Sequence, residues 1–394
     1  MSALRSAFDT HLAQTSPYPI ALEVIGAEGC HIHTRDGRRY LDLVAGLAVN
    51  NVGHRHPKVI AAIKAQADRY LHVIPYGEFI QEPQVRFAER LTGILPDGLD
   101  SVYFVNSGTE ANEAAIKLAK RITGRTKLVA CHKSYHGSTH GSLSITGNEQ
   151  KKYRNRPLLP DVHFITFNDP KDLQHIDGRT AAVVVEPIQG DAGIRMPSRE
   201  WMHALRERCT AVGAMLIFDE VQTGFGRTGK LFAFEHSGIV PDILVLGKAL
   251  GGGLPMGAFV SSRERMQLFT HDPVLGHITT FGGHPLACAA GLAALDVLIA
   301  EDLAASAARM GHLFKELLVH PAIHEVRGTG LMLAVELGDA AKVQRVVMGC
   351  LEQGVLGFWF LSCPTAFRIA PPLTITGTEV RHACAVIVER LAAL

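Results

Sequence analysis

The sequence predicts an α/β fold, with a large domain built on a mostly parallel seven-stranded sheet and a smaller C-terminal α/β domain. Two observations support this prediction. Short apolar strands alternate with helical segments through most of the chain, and an alanine- and leucine-rich helix beginning at Pro285 precedes a second set of strands and helices. Such alternation favours parallel strands with helices on both faces. A chain of 394 residues, 47% of them hydrophobic, is long enough to bury two cores.

The elements are expected in the following order. A helix over 1–14 precedes a small sheet formed by strands around 22–34 and 39–43, and helices follow at about 57–70 and 82–93. The large sheet takes strands near 102–105, 127–131, 162–166, 181–186, 214–218, 242–246 and 257–261, with helices such as 110–122 and 199–212 between them. The last part contains strand 331–337, helix 339–353, strand 366–370 and helix 377–392. We therefore expect an N-terminal segment at 1–50 that packs with the small domain, a large domain at 51–284 and the small domain at 285–394.

Composition excludes several classes of protein. The 39 basic and 38 acidic residues leave a formal charge of +1, so neither a nucleic-acid nor a membrane partner is indicated. No apolar run approaches the ~20 residues that a membrane helix needs, and the first five residues show no signal-peptide pattern. The seven cysteines are scattered and lack a C-x-x-C motif, which is typical of a reducing compartment, so we expect a cytoplasmic location.

The twenty histidines raise the question of a metal site. Close pairs occur at His31 and His33, His54 and His56, and His136 and His140. No H-E-x-x-H motif or Cys/His cluster accompanies them, so we predict no metal.

Lys248 ends an apolar run and is followed by glycines at 251–253. The run predicts a buried strand of a parallel sheet. An amine at the end of such a strand is partly desolvated, which disfavours its ammonium form and makes it a nucleophile toward a carbonyl. Lysines in this position more often extend their amine to solvent, so Lys248 alone does not define a site.

Asp219 follows another buried strand, at 214–218. An acid and a lysine at the carboxyl ends of neighbouring parallel strands face the same crevice. The pair suits pyridoxal phosphate, whose aldehyde needs an amine and whose ring nitrogen needs a carboxylate to remain protonated. Without Lys248, a loop cap or an ion pair would explain Asp219 better.

A phosphate site is suggested where the strand at 102–105 meets a helix. Ser107 and Glu110 have the spacing of a capping box at that helix start. Backbone N–H groups and hydroxyls there can hold a dianionic phosphate. Most helix starts bind nothing, but this one occurs together with Asp219 and Lys248, and the combination is far rarer than any one part.

Six sequence blocks, in order, carry a family resemblance. They are Tyr40-Leu41-Asp42 with Gly53-His54-Arg55-His56-Pro57, Asn106-Ser107-Gly108-Thr109-Glu110-Ala111, Glu186-Pro187-Ile188-Gln189-Gly190, Asp219-Glu220-Val221-Gln222-Thr223-Gly224-Phe225-Gly226-Arg227, Thr279-Thr280-Phe281-Gly282-Gly283, and Arg368-Ile369-Ala370-Pro371-Pro372-Leu373. Over nearly its whole length the chain resembles the class III (ω-) aminotransferases of pyridoxal-phosphate fold type I, near the acetylornithine and ornithine aminotransferases.

The resemblance implies a role for each cofactor-binding residue. Lys248 is similar to the Schiff-base lysine that also shuttles a proton, and Asp219 to the partner of the ring nitrogen. Val221 and Tyr135 are expected on opposite faces of the ring, and Gln222 at the 3′ oxygen. The full expected set is Ser107, Gly108, Thr109, Tyr135, His136, Glu186, Val221, Gln222, Lys248 and Thr280. Thr280 would reach the phosphate of a neighbouring subunit, which implies a homodimer with shared active sites.

The resemblance also implies the substrate residues. Arg368 is expected to bind a substrate carboxylate with its guanidinium. Asp191 stands where the family usually has glutamate, an acid that pairs with this arginine and releases it for the other half-reaction. Because Asp is one methylene shorter, we expect its pairing with Arg368 to be looser. Leu47 and Tyr18 are expected near the substrate.

Other positions differ from the family pattern. His284 replaces the usual asparagine, and Leu47 and Thr15 fall near positions where ornithine-specific members carry tyrosines. These differences argue against a strict ornithine enzyme. The aromatic cluster Phe358-Trp359-Phe360 has no counterpart in the pattern and is more typical of core packing than of a substrate wall.

The implied function is a ping-pong, Schiff-base transfer of an amino group from an ω-amino or α-amino acid, such as N-acetylornithine, to 2-oxoglutarate. Two alternatives stay open from the sequence. One is another outcome of the same cofactor chemistry, such as a racemase, aminomutase or decarboxylase. The other is a non-catalytic regulator that binds pyridoxal phosphate.

Overall fold

The computed structural model describes residues 2–394. Its strands are β1 (Val24–Glu28), β2 (His31–Thr34), β3 (Arg39–Asp42), β4 (Ser101–Val105), β5 (Lys127–Cys131), β6 (Val162–Ile165), β7 (Thr180–Val185), β8 (Met215–Asp219), β9 (Ile243–Leu246), β10 (Gly257–Ser261), β11 (Glu325–Thr329), β12 (Met332–Glu336), β13 (Val355–Leu356), β14 (Phe358–Trp359) and β15 (Ala366–Ile369). Its α-helices are α1 (Ala3–His11), α2 (Ala45–Ala48), α3 (Pro57–Arg69), α4 (Glu82–Thr92), α5 (Gly108–Thr123), α6 (His140–Ile145), α7 (Arg199–Val212), α8 (Arg263–Met266), α9 (Pro285–Ala300), α10 (Leu303–Leu317), α11 (Ala340–Glu352) and α12 (Gly377–Ala392).

The central sheet has seven strands in the order β4-β10-β9-β8-β7-β5-β6. Strand β10 is antiparallel to both of its neighbours, and the remaining pairs are parallel. The predicted fold class, with its mostly parallel seven-stranded sheet, is confirmed. The strands are largely apolar because both faces of the sheet are covered: along β7, Val183 and Val185 pack into one core, while Ala182 and Val184 pack into the other.

Two smaller sheets complete the fold. One has the order β11-β12-β15-β14, and the other has the order β1-β2-β3-β13. Because β13 pairs in parallel with β3, the N-terminal sheet takes its last strand from the C-terminal part of the chain. The sequence did not predict β11, β13 or β14. Strands β13 and β14 have two residues each, and β11 contains polar residues and a glycine, so none has a readable apolar pattern.

Two helix predictions need correction. The single long helix expected from Pro285 is broken into α9 and α10 at Asp302, whose φ of 48° lies in the left-handed region. The helix predicted over 1–14 ends at His11, and its first residue, Met1, lies outside the described residues. No side chain of α1 is buried, so tertiary packing does not extend it.

Arg227 joins three separate segments of the chain. Its guanidinium is fully buried and donates hydrogen bonds to the carbonyls of Leu331 (2.9 Å) and Pro371 (2.6 Å), and to Oδ1 of Asn51 (2.5 Å). Pro371 follows β15 closely. Arg227 therefore fixes the end of β15 against the turn that follows β8.

Within residues 2–394, no helix combines the length and apolar character needed to cross a membrane. The same stretch contains no group of three or more His, Cys, Asp and Glu side chains arranged to hold a metal ion.

Candidate active site

A cavity of about 290 Å³ opens at the carboxyl ends of the central strands. Ser107–Thr109 follow β4, Glu186 follows β7, Asp219 ends β8 and Lys248 follows β9. The cavity is lined by Ser107, Gly108, Thr109, Asn112, Tyr135, His136, Gly137, Ser138, Glu186, Asp191, Asp219, Val221, Gln222, Thr223 and Lys248. The crevice beyond the carboxyl ends of parallel strands is the usual ligand site of such sheets.

Lys248 stands one glycine after β9 and begins a short 3₁₀ turn. Its φ of 48° is in the left-handed region, which costs a non-glycine residue about 1–2 kcal/mol. Burial lowers the pKa of the Lys248 amine, while the negative charges of Asp219 and Glu186 act in the opposite direction. The amine is thus easier to deprotonate than an exposed lysine, as a nucleophile requires.

Asp219 is 5% exposed and is held in one orientation by three donors. Its Oδ2 accepts hydrogen bonds from Nδ1 of His136 (2.7 Å) and Nδ2 of Asn112 (2.8 Å). Its Oδ1 accepts from the backbone N–H of Val221 (3.1 Å). Asn112 was not predicted as a site residue, although its position one helical turn after Gly108 places it near the predicted phosphate site.

The start of α5 packs directly on the backbone of the sheet because three neighbouring positions are glycine. A Cβ at Gly108 would lie 2.8 Å from both γ-carbons of Val221, and a Cβ at Gly247 would lie 3.3 Å from the Cα of Gly108. A Cβ at Gly257 would collide with the carbonyl of Ser107. These contacts fix the helix start at the cavity, which Ser107, Gly108 and Thr109 line, and the helix dipole favours an anion there.

Hydroxyl groups of Thr109, Thr139 and Ser142 lie beside this helix start, and together with it they form a cradle for an anion. Oγ1 of Thr109 lies 2.9 Å from Oγ1 of Thr139 and 2.5 Å from Oγ of Ser142. Glu113 accepts hydrogen bonds from the Thr139 hydroxyl and from the backbone N–H of Ser142 (3.0 Å). Glu113, Thr139 and Ser142 were not predicted, because their approach to Thr109 depends on how α6 packs on α5.

Ser107 caps α5 by accepting a hydrogen bond from the backbone N–H of Glu110 at 3.2 Å. In the expected capping box, the Glu110 carboxylate would also accept a hydrogen bond from the backbone N–H of Ser107. In the structure this second bond comes from the preceding residue. Oε2 of Glu110 accepts from the backbone N–H of Asn106 at 2.8 Å.

Glu186 is buried between two loops of the site. Its two carboxylate oxygens accept hydrogen bonds from the backbone N–H groups of Tyr135 and Gly190, each at 2.9 Å. Burial raises the pKa of Glu186 to about 7. Glu186 therefore positions Tyr135 at the cavity wall. The side chain of Gln222 packs directly against Gly190, because Gly190 has no Cβ to collide with the amide of Gln222.

Arg368 approaches the site from β15. It is 7% exposed, its Cζ lies 4.5 Å from the centre of the Phe360 ring, and its Nη2 lies 3.7 Å from Oδ1 of Asp191. Its buried Nε has no hydrogen-bond partner among residues 2–394. Burial lowers the pKa of Arg368, and the charge of Asp191 opposes that effect. The guanidinium is thus poorly satisfied within the chain and suited to an added carboxylate.

Three predicted site residues lie away from the cavity of the single chain. Leu47 is 42% exposed and Tyr18 is 85% exposed. Thr280 is also exposed. None of the three lines the cavity. Their roles stay predictions, since a neighbouring subunit is required for Thr280 to act as expected.

The family model for class-III aminotransferases matches residues 13–391. The chain therefore belongs to the class-III aminotransferase family, and it is a transaminase dependent on pyridoxal phosphate.

Known proteins similar to the chain agree with this assignment. The acetylornithine aminotransferase of Methanopyrus kandleri is 41% identical over 386 residues, which covers 97% of both chains. The solved ornithine aminotransferase of Toxoplasma gondii aligns with a TM-score of 0.91 at 32% identity, covering 99% of this chain and 94% of the other. An amine transaminase from an uncultivated Pseudomonas species, solved in its PLP-bound form, aligns with a TM-score of 0.87 at 31% identity, covering 97% of each chain.

Proposed function

We propose that this transaminase takes an amino group from an ω-amino acid such as N-acetylornithine, or from an α-amino acid, and delivers it to 2-oxoglutarate. The observation that carries the proposal is the presence in one cavity of Lys248, Asp219 and the start of α5. Arg368 stands beside the same cavity through its approach to Asp191. The names of similar proteins, acetylornithine aminotransferase above all, support this choice of substrates.

The residues of the cavity fit pyridoxal phosphate. Ser107, Gly108 and Thr109 offer N–H and hydroxyl donors for its phosphate, and Asp219 offers a fixed carboxylate for its ring nitrogen. Tyr135 and Val221 line the cavity and are proposed to hold the ring between them, with Gln222 at its 3′ oxygen. When bound, the cofactor supplies an aldehyde that accepts the amino group and a ring that withdraws electrons from the carbon losing a proton.

Lys248 is proposed to perform two tasks. Its amine attaches the cofactor covalently, which the lowered pKa favours. When not attached to the cofactor, the same amine would serve as the base, and then as the acid, that moves a proton at the reacting carbon of the substrate. His136 and Asn112 support this chemistry indirectly, because their hydrogen bonds keep Asp219 oriented.

Arg368 is proposed to bind the substrate carboxylate. A buried guanidinium with an unpaired Nε gains two charge-assisted hydrogen bonds from a bidentate carboxylate. Phe360 supports its other side, since its ring faces the guanidinium. Of the aromatic cluster Phe358-Trp359-Phe360, Phe360 is buried as core packing requires, whereas Phe358 and Trp359 are half-buried.

A homodimer is proposed as the active form, with Thr280 of one subunit completing the phosphate site of its partner. Support comes from the exposed apolar side chains that neighbour Thr280 in the sequence, Ile278 and Phe281. A cytoplasmic location is proposed from the cysteines, all of which are free thiols.

Reductive labelling tests the central claim. Purified protein loaded with pyridoxal phosphate and treated with borohydride should gain the cofactor mass on the peptide containing Lys248, and Lys248→Met should remove that label. The labelled protein should also show an absorbance band near ~420 nm before reduction that shifts when a donor amine is added. A folded wild-type protein labelled at another lysine would overturn the proposal.

A further inference from the structure

Helix α2 is a single turn that winds in the left-handed sense. The backbone φ angles of Ala45, Gly46, Leu47 and Ala48 are 50°, 63°, 65° and 63°. Left-handed backbone is normally confined to single residues, mostly glycine, because the Cβ of any other residue approaches the following carbonyl oxygen too closely. Three of these four residues carry a Cβ, so the left-handed turn is strained. Such strain persists only where surrounding contacts enforce it, and it concentrates at functional sites.

Asp42 and His54, which both belong to the first of the six sequence blocks, enforce the left-handed turn. Oδ1 of Asp42 accepts hydrogen bonds from the backbone N–H groups of Val44 (2.8 Å) and Ala45 (2.9 Å). Its Oδ2 lies 2.8 Å from Nε2 of His54. The backbone of His54 is itself fixed by two hydrogen bonds with Gly29, at 2.8 and 3.0 Å. Because Asp42 is only 1% exposed, these contacts are shielded from water.

One side of the left-handed turn packs against the 3₁₀ turn that Lys248 begins. Just after α2, the side chain of Asn50 lies close to the same loop, since a Cβ at Gly253 would stand 3.4 Å from its Oδ1. Lys248 also has a left-handed φ, so its backbone conformation depends on neighbouring segments. The left-handed turn is one of these segments.

The flanks of the left-handed turn are tied to the chain that follows β15. The carbonyl of Leu43 accepts a hydrogen bond from the N–H of Ala370, and the carbonyl of Asn51 accepts one from the N–H of Leu373, each at 2.8 Å. Ala370 stands two residues after Arg368. The left-handed turn therefore lies between the segment that carries Lys248 and the segment that carries Arg368.

We propose that Asp42 and His54 are positioning residues that hold the left-handed turn as a spacer between Lys248 and the end of β15. The inference rests on the proposed roles of Lys248 and Arg368. Without the Asp42 carboxylate, the turn relaxes, because its three non-glycine residues gain by leaving the left-handed region. The 3₁₀ turn then loses its support, and the Lys248 amine is no longer fixed relative to the Arg368 guanidinium.

Removal of the Asp42 carboxylate tests this hold on the turn. In Asp42→Ala, hydrogen exchange of the backbone amides in a peptide spanning 43–50 should accelerate by ~10–100-fold, the range that corresponds to losing a hydrogen bond to a charged group. The Kd of pyridoxal phosphate, titrated into cofactor-free protein and followed by visible absorbance, should rise roughly tenfold, because attachment requires the amine at a fixed position.

Two related variants test which property of Asp42 matters. Asp42→Asn keeps an oxygen that can accept both N–H groups, so it should stay within about threefold of the wild type in both measurements. His54→Leu should move both quantities in the same direction as Asp42→Ala by a smaller factor. If Asp42→Ala does not fold, His54→Leu supplies the same comparison.

Substitutions at Leu47 test the strain itself. Leu47→Gly and Leu47→Ala remove nearly the same side chain, but only glycine accepts a φ of 65° without strain. In the Asp42→Ala background, Leu47→Gly should therefore bind pyridoxal phosphate more tightly than Leu47→Ala. As single variants, Leu47→Gly should also have the higher midpoint in urea unfolding. The order is reversed in a right-handed helix, so Ala65→Gly at an exposed position of α3 should lower the midpoint.

Asp339→Ala is the matched control for Asp42→Ala. Oδ1 of Asp339 also accepts two backbone N–H groups at a helix start, those of Ala341 (2.7 Å) and Lys342 (3.1 Å). Asp339 is exposed and caps α11, and it does not line the cavity. Asp339→Ala should leave the Kd of pyridoxal phosphate unchanged.

Three results would overturn the proposal. Unchanged exchange of the 43–50 peptide in Asp42→Ala would show that Asp42 does not hold the turn. Faster exchange with an unchanged Kd would show that the turn does not position Lys248. Equal affinities of the two Leu47 double variants would exclude strain as the reason for the hold. If borohydride labels another lysine in the wild type, the proposed function fails, while the exchange measurement still tests the hold of Asp42 on the turn.

Discussion

Gly108→Ala should weaken cofactor binding because of a contact that the structure defines. The added Cβ would lie 2.8 Å from both γ-carbons of Val221, whereas ordinary van der Waals contact begins at 3.4 Å. Either the start of α5 or Val221 must move by about half an ångström to relieve the clash. Overpacking of this size costs about 1–3 kcal/mol.

The displacement has a direct effect on the phosphate cradle. An N–H···O bond of ~2.9 Å that lengthens by about half an ångström lies outside the normal range. Loss of one charge-assisted hydrogen bond at about 1.5–3 kcal/mol corresponds to a ~10–100-fold weaker Kd. Titration of the cofactor-free protein with pyridoxal phosphate, followed by visible absorbance, measures this change.

Two further variants make the test specific. Gly178→Ala is the matched control, because its Cβ would meet no atom within 4 Å and its backbone conformation is ordinary. Val221→Ala combined with Gly108→Ala removes the clash and should recover part of the affinity. If Gly108→Ala binds the cofactor within about threefold of the wild type, the packing argument is refuted.

Two other predictions concern charge. Arg368→Lys should raise the KM for 2-oxoglutarate by ~10–100-fold with a smaller effect on kcat, because an ammonium cannot make the bidentate contact. Steady-state assays measure both constants, and an unchanged KM would contradict the assignment of Arg368. Burial raises the pKa of Glu220 to about 7 from 4.5. Between these values the folded protein binds more protons than the unfolded chain, so Glu220 should lower the free energy of unfolding by ~3 kcal/mol as the pH rises from 4.5 to 7. Denaturant unfolding of Glu220→Gln across this range should show a correspondingly flatter pH dependence, and parallel curves for the two proteins would refute it.

The sequence predicted the central sheet and the position of the site for the same physical reason. Strands buried on both faces are continuous apolar runs, so their ends are visible in the sequence, and Asp219 and Lys248 stand at those ends. Parallel strands then bring the ends to one edge of the sheet. The helix start at Ser107 was visible through its capping pattern.

Residues whose role depends on long-range packing were not predictable. Lys151 and Ser362 both donate hydrogen bonds to Asp191 only because the 3₁₀ turn Glu149–Lys151 and the loop before β15 pack together, and no local pattern encodes that contact. The short β14, with Phe358 stacked on Trp359 at 4.6 Å, was equally hidden. The proposed domain boundaries and the contribution of Thr280 stay predictions.

The buried contacts of Arg227 have a consequence for donor selection. Through the Pro371 carbonyl they tie the end of β15 to Arg227, which also binds the Leu331 carbonyl and the Asn51 amide, so Arg368, three residues before Pro371, cannot shift far relative to Lys248. The positions of Arg368 and Lys248 therefore set the distance that a donor must have between its carboxylate and its transferable nitrogen. Flexible aliphatic donors can fold to match this span, and stiff aromatic donors of the wrong length should be rejected however well their individual groups would bind.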